Sequence, residues 1–188
     1  MADKKISALT SASLPLAGTE VLPIVQSGST VKVAVTGLRL AGSVIQVVNA
    51  AYSTATSTTS TSYVTTGLTA SITPTSTSNK ILVLVSLPVD TDSLGTYSAK
   101  YTLFRGTVAG TNLGDSNQGF GGFVAFQNGA PYVAMYIAAS FCINYYDSPA
   151  TVSSQTYTVA MKSEGNSNPA RVCSTSAVAT ITLMEIVA

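Results

Sequence analysis

The feature that most constrains this chain is a succession of short segments in which apolar and polar residues alternate. In Thr30–Thr36 every second residue from Val31 to Val35 is valine, and in Gln155–Lys162 the bulky apolar residues again occupy alternate positions. Successive side chains of a β-strand point to opposite faces, so this pattern predicts strands with one face on a core. No stretch from Gly42 to Ala188 shows the apolar period of a helix,.

Turn-forming clusters separate further strand-like segments along the rest of the chain. These segments are Val44–Val48, Thr69–Thr73, Lys80–Leu87, Tyr97–Arg105, Gly119–Phe126, Tyr132–Tyr146 and Ala177–Val187. The loops between them are rich in Gly, Asn, Asp, Pro and Ser, which favour turns. Many short strands at regular spacing predict an all-β fold, a β-sandwich for which a jelly roll is one candidate topology.

Lys80–Leu87 departs from alternation because it is almost entirely aliphatic. A continuous apolar run of this length predicts a strand buried on both faces. The run is therefore either a central strand of the sandwich or a strand whose outer side faces a neighbouring subunit.

Residues 1–42 have a different sequence pattern from residues 43–188, for which the β-domain is predicted. Pro15 prevents a continuous helix there,. Glu20–Gln26 and Thr30–Thr36 flank a short Ser-Gly-Ser turn, which predicts a β-hairpin within an extended N-terminal arm,. Because a lone hairpin is marginal in water, its apolar face must be covered by the main domain, another subunit or a docking partner.

Composition argues against several classes of partner. Only 9% of the residues are charged and the formal net charge is +1, so no basic stripe is present to neutralise phosphates,. The longest apolar runs, Ile81–Leu87 and Val133–Ala139, are too short to cross a bilayer, and the N-terminus lacks the pattern of a signal peptide,. We expect no nucleic-acid partner, no membrane partner, and a protein made in the cytoplasm of its host cell and kept there until release.

The sequence also offers little for catalysis. It contains no histidine, the commonest general base and metal ligand,. Asp90–Asp92 presents two carboxylates without a third acid close by, and a solvated loop is favoured over a cation site. Gly119–Phe123 lacks the Lys-Ser/Thr ending of a phosphate loop, which favours a tightly packed strand. Cys142 and Cys173 are expected to be buried and reduced. We predict no enzymatic activity, no catalytic or metal site and no cofactor.

Two parts of the chain carry a resemblance to a known family. Lys5–Leu9, Pro15–Gln26 and Val31–Val33 resemble the N-terminal arm of phage virion proteins, which occurs on both tail fibres and head decoration proteins. Tyr63-Val64, Gly67-Leu68, Ser71–Pro74 and Ser78–Ser86 resemble a β-module found downstream in phage fibre-like proteins, and Ala179–Ile186 is similar to its final strand.

The resemblance implies a virion structural protein that assembles with itself, as a homotrimer in many members. Tail fibres commonly continue into long shafts, so a chain with one module favours a capsid decoration (cement) protein bound to the major capsid protein. The alternative is a short tail fibre or spike that attaches to tail or baseplate proteins and binds a host-surface glycan. A third candidate, a secreted carbohydrate-binding module, is disfavoured by the missing signal peptide pattern.

Two sets of residues are candidate contact sites. The docking anchors are the apolar residues of the arm: Ile6, Leu9, Leu14, Leu16, Val21, Leu22, Ile24 and Val25. A recognition surface would be sought at the aromatic residues Tyr132, Tyr136, Tyr145 and Tyr146 and at the loop Gly106–Asn117, because aromatic rings stack on sugars and anchor interfaces,.

Overall fold

A computed structural model of the chain describes residues 20–35, 38–93, 97–125, 135–164 and 169–188. The regular elements within these ranges are thirteen β-strands. They are β1 (Val21–Gln26), β2 (Ser29–Ala34), β3 (Val44–Tyr52), β4 (Thr56–Thr58), β5 (Val64–Ile72), β6 (Lys80–Ser93), β7 (Tyr97–Arg105), β8 (Thr111–Asn112), β9 (Gly121–Ala125), β10 (Met135–Asp147), β11 (Gln155–Ser163), β12 (Ala170–Val172) and β13 (Ala179–Ile186). Among the described residues, no helix is long and apolar enough to span a lipid bilayer. The all-β prediction is confirmed.

The chain divides into two compact units, Met1–Ala41 and Gly42–Ala188. The first contains the predicted hairpin, in which β1 and β2 pair antiparallel from Val21 opposite Ala34 to Gln26 opposite Ser29. Ser27 and Gly28 form the two-residue turn and both have positive φ, 50° and 80°. This is the type I′ geometry, whose twist matches that of the flanking strands.

The second unit is a sandwich of two antiparallel sheets. In sheet I the order of the long strands is β3-β13-β6-β10. The short strand β12 pairs with β6 on the same side as β13, and β4 pairs with β12. In sheet II the order of the long strands is β5-β11-β7-β9, and the short strand β8 pairs with the same edge of β7 as β9. Numbered along the chain, these eight long strands run 1-8-3-6 and 2-7-4-5. That is the strand order of a jelly roll, the candidate topology.

The core lies between the sheets and follows the period of two. In β6 the odd-numbered residues from Ile81 to Val89 are buried, whereas Leu82 and Leu84 between them are only half-buried. In β5 and β13 the same alternation buries Leu68–Ile72 and Ala179–Leu183 at every second position. β6 is thus a central strand, as predicted, and within the single chain its outer face is only partly covered, which leaves open the predicted alternative that this face meets a neighbouring subunit.

Hydrogen bonds also join the two sheets at the end of β10. Asp147 is 4% exposed, and both its carboxylate oxygens lie 3.1 Å from Nη1 of Arg105 on β7. The hydroxyl of Tyr157 on β11 donates to Asp147 Oδ2 at 2.7 Å, and the backbone N–H of Ser148 donates to Oδ1 at 2.8 Å. A buried carboxylate is tolerated when its oxygens are satisfied in this way.

Candidate functional site

One face of the hairpin carries a cluster of four aliphatic side chains. Residues directly opposite each other in an antiparallel pair share a face, and the pairs Leu22–Val33 and Ile24–Val31 therefore form a single patch,. Leu22 is 46% exposed, Ile24 37% and Val31 37%, while Val33 is half-buried. We call these four residues the hairpin face.

The predicted docking anchors are divided by this geometry. Leu22 and Ile24 lie on the hairpin face, whereas Val21 and Val25 alternate with them on the opposite face, where Val25 is 75% exposed. The remaining anchors lie outside the described residues, namely Ile6, Leu9, Leu14 and Leu16.

A second apolar surface crosses the outer face of sheet I. The register places Tyr146 opposite Leu82, Leu82 opposite Met184, and Met184 opposite Val47. These four residues, one from each long strand of the sheet, form a continuous row that we call the apolar row. Tyr146 is 54% and Val47 57% exposed, and the two central side chains are half-buried.

The rows beside the apolar row are also almost free of charge. On one side are Asn144, Leu84, Thr182 and Asn49, and Asn49 Nδ2 donates to Thr182 Oγ1 at 2.8 Å. On the other side are Lys80, Ile186 and Val44, of which only the lysine is charged. Such a face is poorly hydrated by comparison with an ordinary charged surface and is suited to contact with protein.

The predicted tyrosine surface is not a single surface. Tyr145 turns towards the core, where its ring packs edge-on against Phe120 with centroids 5.5 Å apart, whereas its neighbour Tyr146 points outward. The prediction that both belong to one exposed face is wrong, because adjacent residues of a strand point to opposite faces. Tyr132 lies outside the described residues. Tyr136 lies in β10, but its side chain is outside the described part.

The loop Gly106–Asn117 folds over the outer face of sheet II. Thr102 of β7 donates to Asn112 Oδ1 at 2.6 Å, and the backbone N–H of Leu113 donates to the Leu103 carbonyl at 2.9 Å. Asp115 then accepts backbone N–H groups from Asn117 at 2.8 Å and Gln118 at 2.7 Å. These bonds lower the pKa of the Asp115 carboxyl, with the Gln118 bond contributing most,. The loop is therefore a fixed part of the surface.

Glycine permits the close approach of this region to β7. A Cβ on Gly122 would overlap the carbonyl oxygen of Ala99, and a Cβ on Gly119, whose φ is +61°, would meet the carbonyl of Tyr101. The predicted strand covers only part of Gly119–Phe123, because β9 begins at Gly121, while the close approach of Gly119 and Gly122 to β7 agrees with the predicted tight packing,.

Three acidic side chains, those of Glu185, Asp90 and Asp147, are buried. Glu185 is fully buried and accepts hydrogen bonds from Thr75 N at 2.6 Å, Thr75 Oγ1 at 2.8 Å and Asn79 Nδ2 at 2.7 Å, in the turn between β5 and β6. Asp90 is 3% exposed within β6, where Arg171 Nη1 lies 3.9 Å away and the Ser174 hydroxyl donates to it. The expectation of a solvated loop at Asp90 is wrong. Glu185, Asp90 and Asp147 lie at three separate places in the sandwich, and each carboxylate interacts with side chains from other parts of the chain.

The two cysteines differ in environment. Cys173 is 1% exposed and burial raises the pKa of its thiol, as expected of an inert cysteine. Cys142 is exposed, contrary to expectation, because it alternates with the inward residues Phe141 and Ile143 of β10. Its partner in the register is Ser86, so it lies on the outer face of sheet I.

Comparison with protein-family models found no matching family, and comparison with curated protein sequences found no match. The resemblance to phage virion proteins therefore stays a prediction.

Proposed function

We propose that this chain is a non-catalytic structural protein of a phage particle, a head decoration protein held to the major capsid protein by its hairpin arm. The observation that carries the proposal is the hairpin face, an exposed apolar surface on an element that is too small to be stable alone,. The resemblance of the arm sequence to phage virion proteins supports the same role. Jelly rolls occur in viral capsid proteins, although a fold by itself does not determine function.

The hairpin face is suited to weak docking that is reinforced by repetition. Complete burial of one Val, Leu or Ile side chain contributes ~1.5–3 kcal/mol, so covering the exposed part of this face contributes about 3 kcal/mol per arm. Among the described strands β1 and β2 pair only with each other, so backbone groups at their outer edges can add a strand to the shell protein,. A single arm would therefore bind at about the millimolar level, and several linked arms would raise the effective concentration enough for firm retention.

Several linked arms require self-association, for which we propose the outer face of sheet I. The aliphatic run of β6 predicts burial on both sides, yet Leu82 and Leu84 stay half-exposed in the single chain. A second copy of the chain is the occupant that suits a face with so little charge, since neither copy repels the other. The trimeric state itself comes from the resemblance.

A short tail fibre or spike is the second candidate, because its arm would dock by the same physics and jelly rolls also occur as lectin domains. The two candidates differ in the expected position of the protein on the particle and in the number of copies per particle. Labelling the protein in purified particles should find it over the head, in copies comparable to the shell subunits. Finding a few copies at the tail would replace decoration with the fibre or spike.

The docking role is tested by two neighbouring substitutions on opposite faces of β1. Ile24→Ser removes an apolar side chain from the hairpin face, while Val25→Ser removes one from the other face of the same strand. We expect Ile24→Ser to reduce the copies per particle several-fold and Val25→Ser to leave them near the wild-type number, measured by quantitative mass spectrometry of purified particles. Equal, normal incorporation of both variants would refute docking through this face, as would normal incorporation of a chain that begins at Ser43.

The self-association face is tested by a matched pair of lysine substitutions. Val47→Lys charges the apolar row, and Val152→Lys charges a side chain of similar exposure, 53% against 57%, in the connection between β10 and β11. We expect Val47→Lys to sediment as a monomer and to expose Cys142 to maleimide at concentrations where Val152→Lys and wild type remain oligomeric and protected. An oligomer of unchanged size with Val47→Lys would exclude this face.

A further inference from the structure

The surface around Gly106–Asn117 contains a shallow, open pocket of about 420 Å³ on the outer side of sheet II. Small-molecule sites generally measure ~300–1,000 Å³. The pocket draws its lining from three distant parts of the chain: the segment before β5, the end of β7 with the loop that follows it, and the end of β11. The lining residues are Thr61, Ser62, Tyr63, Phe104, Val108, Asn112, Ser116, Asn117 and Lys162.

The lining combines an apolar part with a polar rim. Phe104 and Tyr63 meet edge to face with centroids 6.0 Å apart, and Val108 is 38% exposed beside them. Hydroxyl and amide groups surround this apolar part, contributed by the exposed residues Ser116 and Asn117 and by the Thr61-Ser62 segment. A ligand that matches this lining has an apolar face and a periphery of hydroxyl groups.

The charges around the pocket are balanced. Lys162 Nζ lies 5.0 Å from the centroid of the Tyr63 ring, a cation–π contact,. The negative charges of Asp115 and Glu164 act on the same tyrosine and, together with burial as the larger cause, raise the pKa of its hydroxyl to about 12. The Tyr63 hydroxyl is therefore protonated and donates to the Asn117 carbonyl at 3.4 Å. Glu164 is itself paired with Lys100, whose Nζ lies 3.7 Å from Glu164 Oε2. Two cations therefore face two anions, and no excess positive charge is available for a phosphate, a sulfate or an acidic sugar.

The pocket wall is fixed before a ligand arrives. Besides the Thr102–Asn112 bond and the backbone bonds at Asp115, Gly119 N donates to the Asp115 carbonyl at 2.9 Å, and Thr158 Oγ1 donates to the Gly106 carbonyl at 2.7 Å. A preorganised site loses little entropy on binding, so even a ligand with few contacts can be held.

We propose that this pocket binds a neutral saccharide, with the apolar face of a sugar ring against Tyr63 and Val108, above the buried ring of Phe104. The sugar hydroxyl groups would bond to Ser116, Asn117 and the Lys162 ammonium. None of the residues that line the pocket belongs to the hairpin face or to the apolar row, so either proposal can fail alone. The pocket would supply the recognition site of a spike and would equally let a decorated particle adhere to a glycan-coated surface.

The test uses the full-length protein and three neutral disaccharides, namely lactose, maltose and N,N′-diacetylchitobiose, in saturation-transfer NMR and calorimetry. At about 10 mM sugar, a millimolar Kd gives nearly full occupancy. We expect at least one of the three to bind, with saturation transfer strongest at its ring C–H protons. Inorganic sulfate and 3′-sialyllactose serve as anionic comparison probes.

Substitutions then locate the binding. Val108→Asp places a charge in the apolar part of the pocket and should raise the Kd of the bound disaccharide at least tenfold. Asn117→Ala should raise the same Kd several-fold. Val152→Asp, an equally polar change at an exposed valine outside the pocket, should leave binding unchanged. Both aspartate variants should melt at the temperature of the wild type within a few degrees, which separates loss of binding from loss of folding.

Three outcomes would overturn the proposal. The first is no binding of any of the three neutral disaccharides. The second is binding that Val108→Asp and Val152→Asp leave equally intact, which would place the sugar elsewhere. The third is binding of sulfate or sialyllactose alone, since it would show that the pocket selects charge.

Discussion

Two fully buried tyrosines allow the contribution of the Tyr157–Asp147 hydrogen bond to stability to be measured against an internal control. Tyr157 and Tyr101 are both 0% exposed, and each lies on an inner strand of sheet II. The Tyr157 hydroxyl donates to the Asp147 carboxylate at 2.7 Å, while the Tyr101 hydroxyl donates to the backbone carbonyl of Arg171 at 3.0 Å. Replacement of either tyrosine by phenylalanine removes one hydroxyl and preserves the ring.

The expected loss of stability follows from the charge of the acceptor. A hydrogen bond to an ionised group contributes ~1.5–3 kcal/mol, and one between neutral groups ~0.5–1.5 kcal/mol. Asp147 is 4% exposed, so solvent screens the Tyr157–Asp147 hydrogen bond very little. We expect Tyr157→Phe to lower the free energy of unfolding by about 2 kcal/mol and Tyr101→Phe by about 1 kcal/mol.

Urea denaturation followed by circular dichroism at neutral pH measures both values. With a slope of about 2 kcal/mol per molar urea, the midpoint should fall by about 1 M for Tyr157→Phe and by about 0.5 M for Tyr101→Phe. All proteins are compared at one concentration, because self-association would make the midpoint depend on concentration. A Tyr157→Phe midpoint equal to or above that of Tyr101→Phe would refute the reasoning that the carboxylate joins the sheets.

Four other predictions follow from the packing. Above about pH 10 the wild type should lose stability faster than Tyr157→Phe, because burial and the adjacent carboxylate raise the pKa of Tyr157 above its ordinary 10.0 and folding then opposes ionisation,. Glu185→Leu should cost about 2 kcal/mol, since the buried Asn79 amide loses its acceptor while the two donors of Thr75, an exposed residue, can turn to solvent,. Gly122→Ala should cost ~1–3 kcal/mol by overlap with a β7 carbonyl,. In native monomer, maleimide should modify Cys142 and spare Cys173 until urea unfolds the chain,.

Each of these has a measurement that can contradict it. Parallel alkaline unfolding curves for wild type and Tyr157→Phe would remove the pH argument. Glu185→Gln keeps one acceptor oxygen and should be milder than Glu185→Leu, so the reverse order in urea would be contrary to the structure. A Gly122→Ala protein with the wild-type melting temperature would show that β9 relaxes. Peptide mapping that finds Cys173 labelled in the folded protein would contradict its burial.

The sequence alone determined the features that depend on near neighbours in the chain. Period-two alternation predicted strands close to β7, β11 and β13, and the Ser27-Gly28 turn predicted the hairpin, because side-chain direction and turn geometry are set within a few residues,. Even the opposite directions of Tyr145 and Tyr146 were available from this rule. The short strands β8 and β12 had no such pattern and were not predicted.

Only the tertiary structure decided which strands pair and what their side chains meet. Many strand orders satisfy the same alternation, and the jelly roll is selected by contacts between distant segments whose energies local patterns do not encode. Glu185 is buried because its hydrogen-bond donors lie in a turn about 110 residues earlier in the chain. The pocket likewise exists because the ends of β7 and β11 bring Phe104 and Lys162 beside Tyr63. The sequence specified which side chains share a face of each strand, and the pairing of distant strands brought those faces together into surfaces.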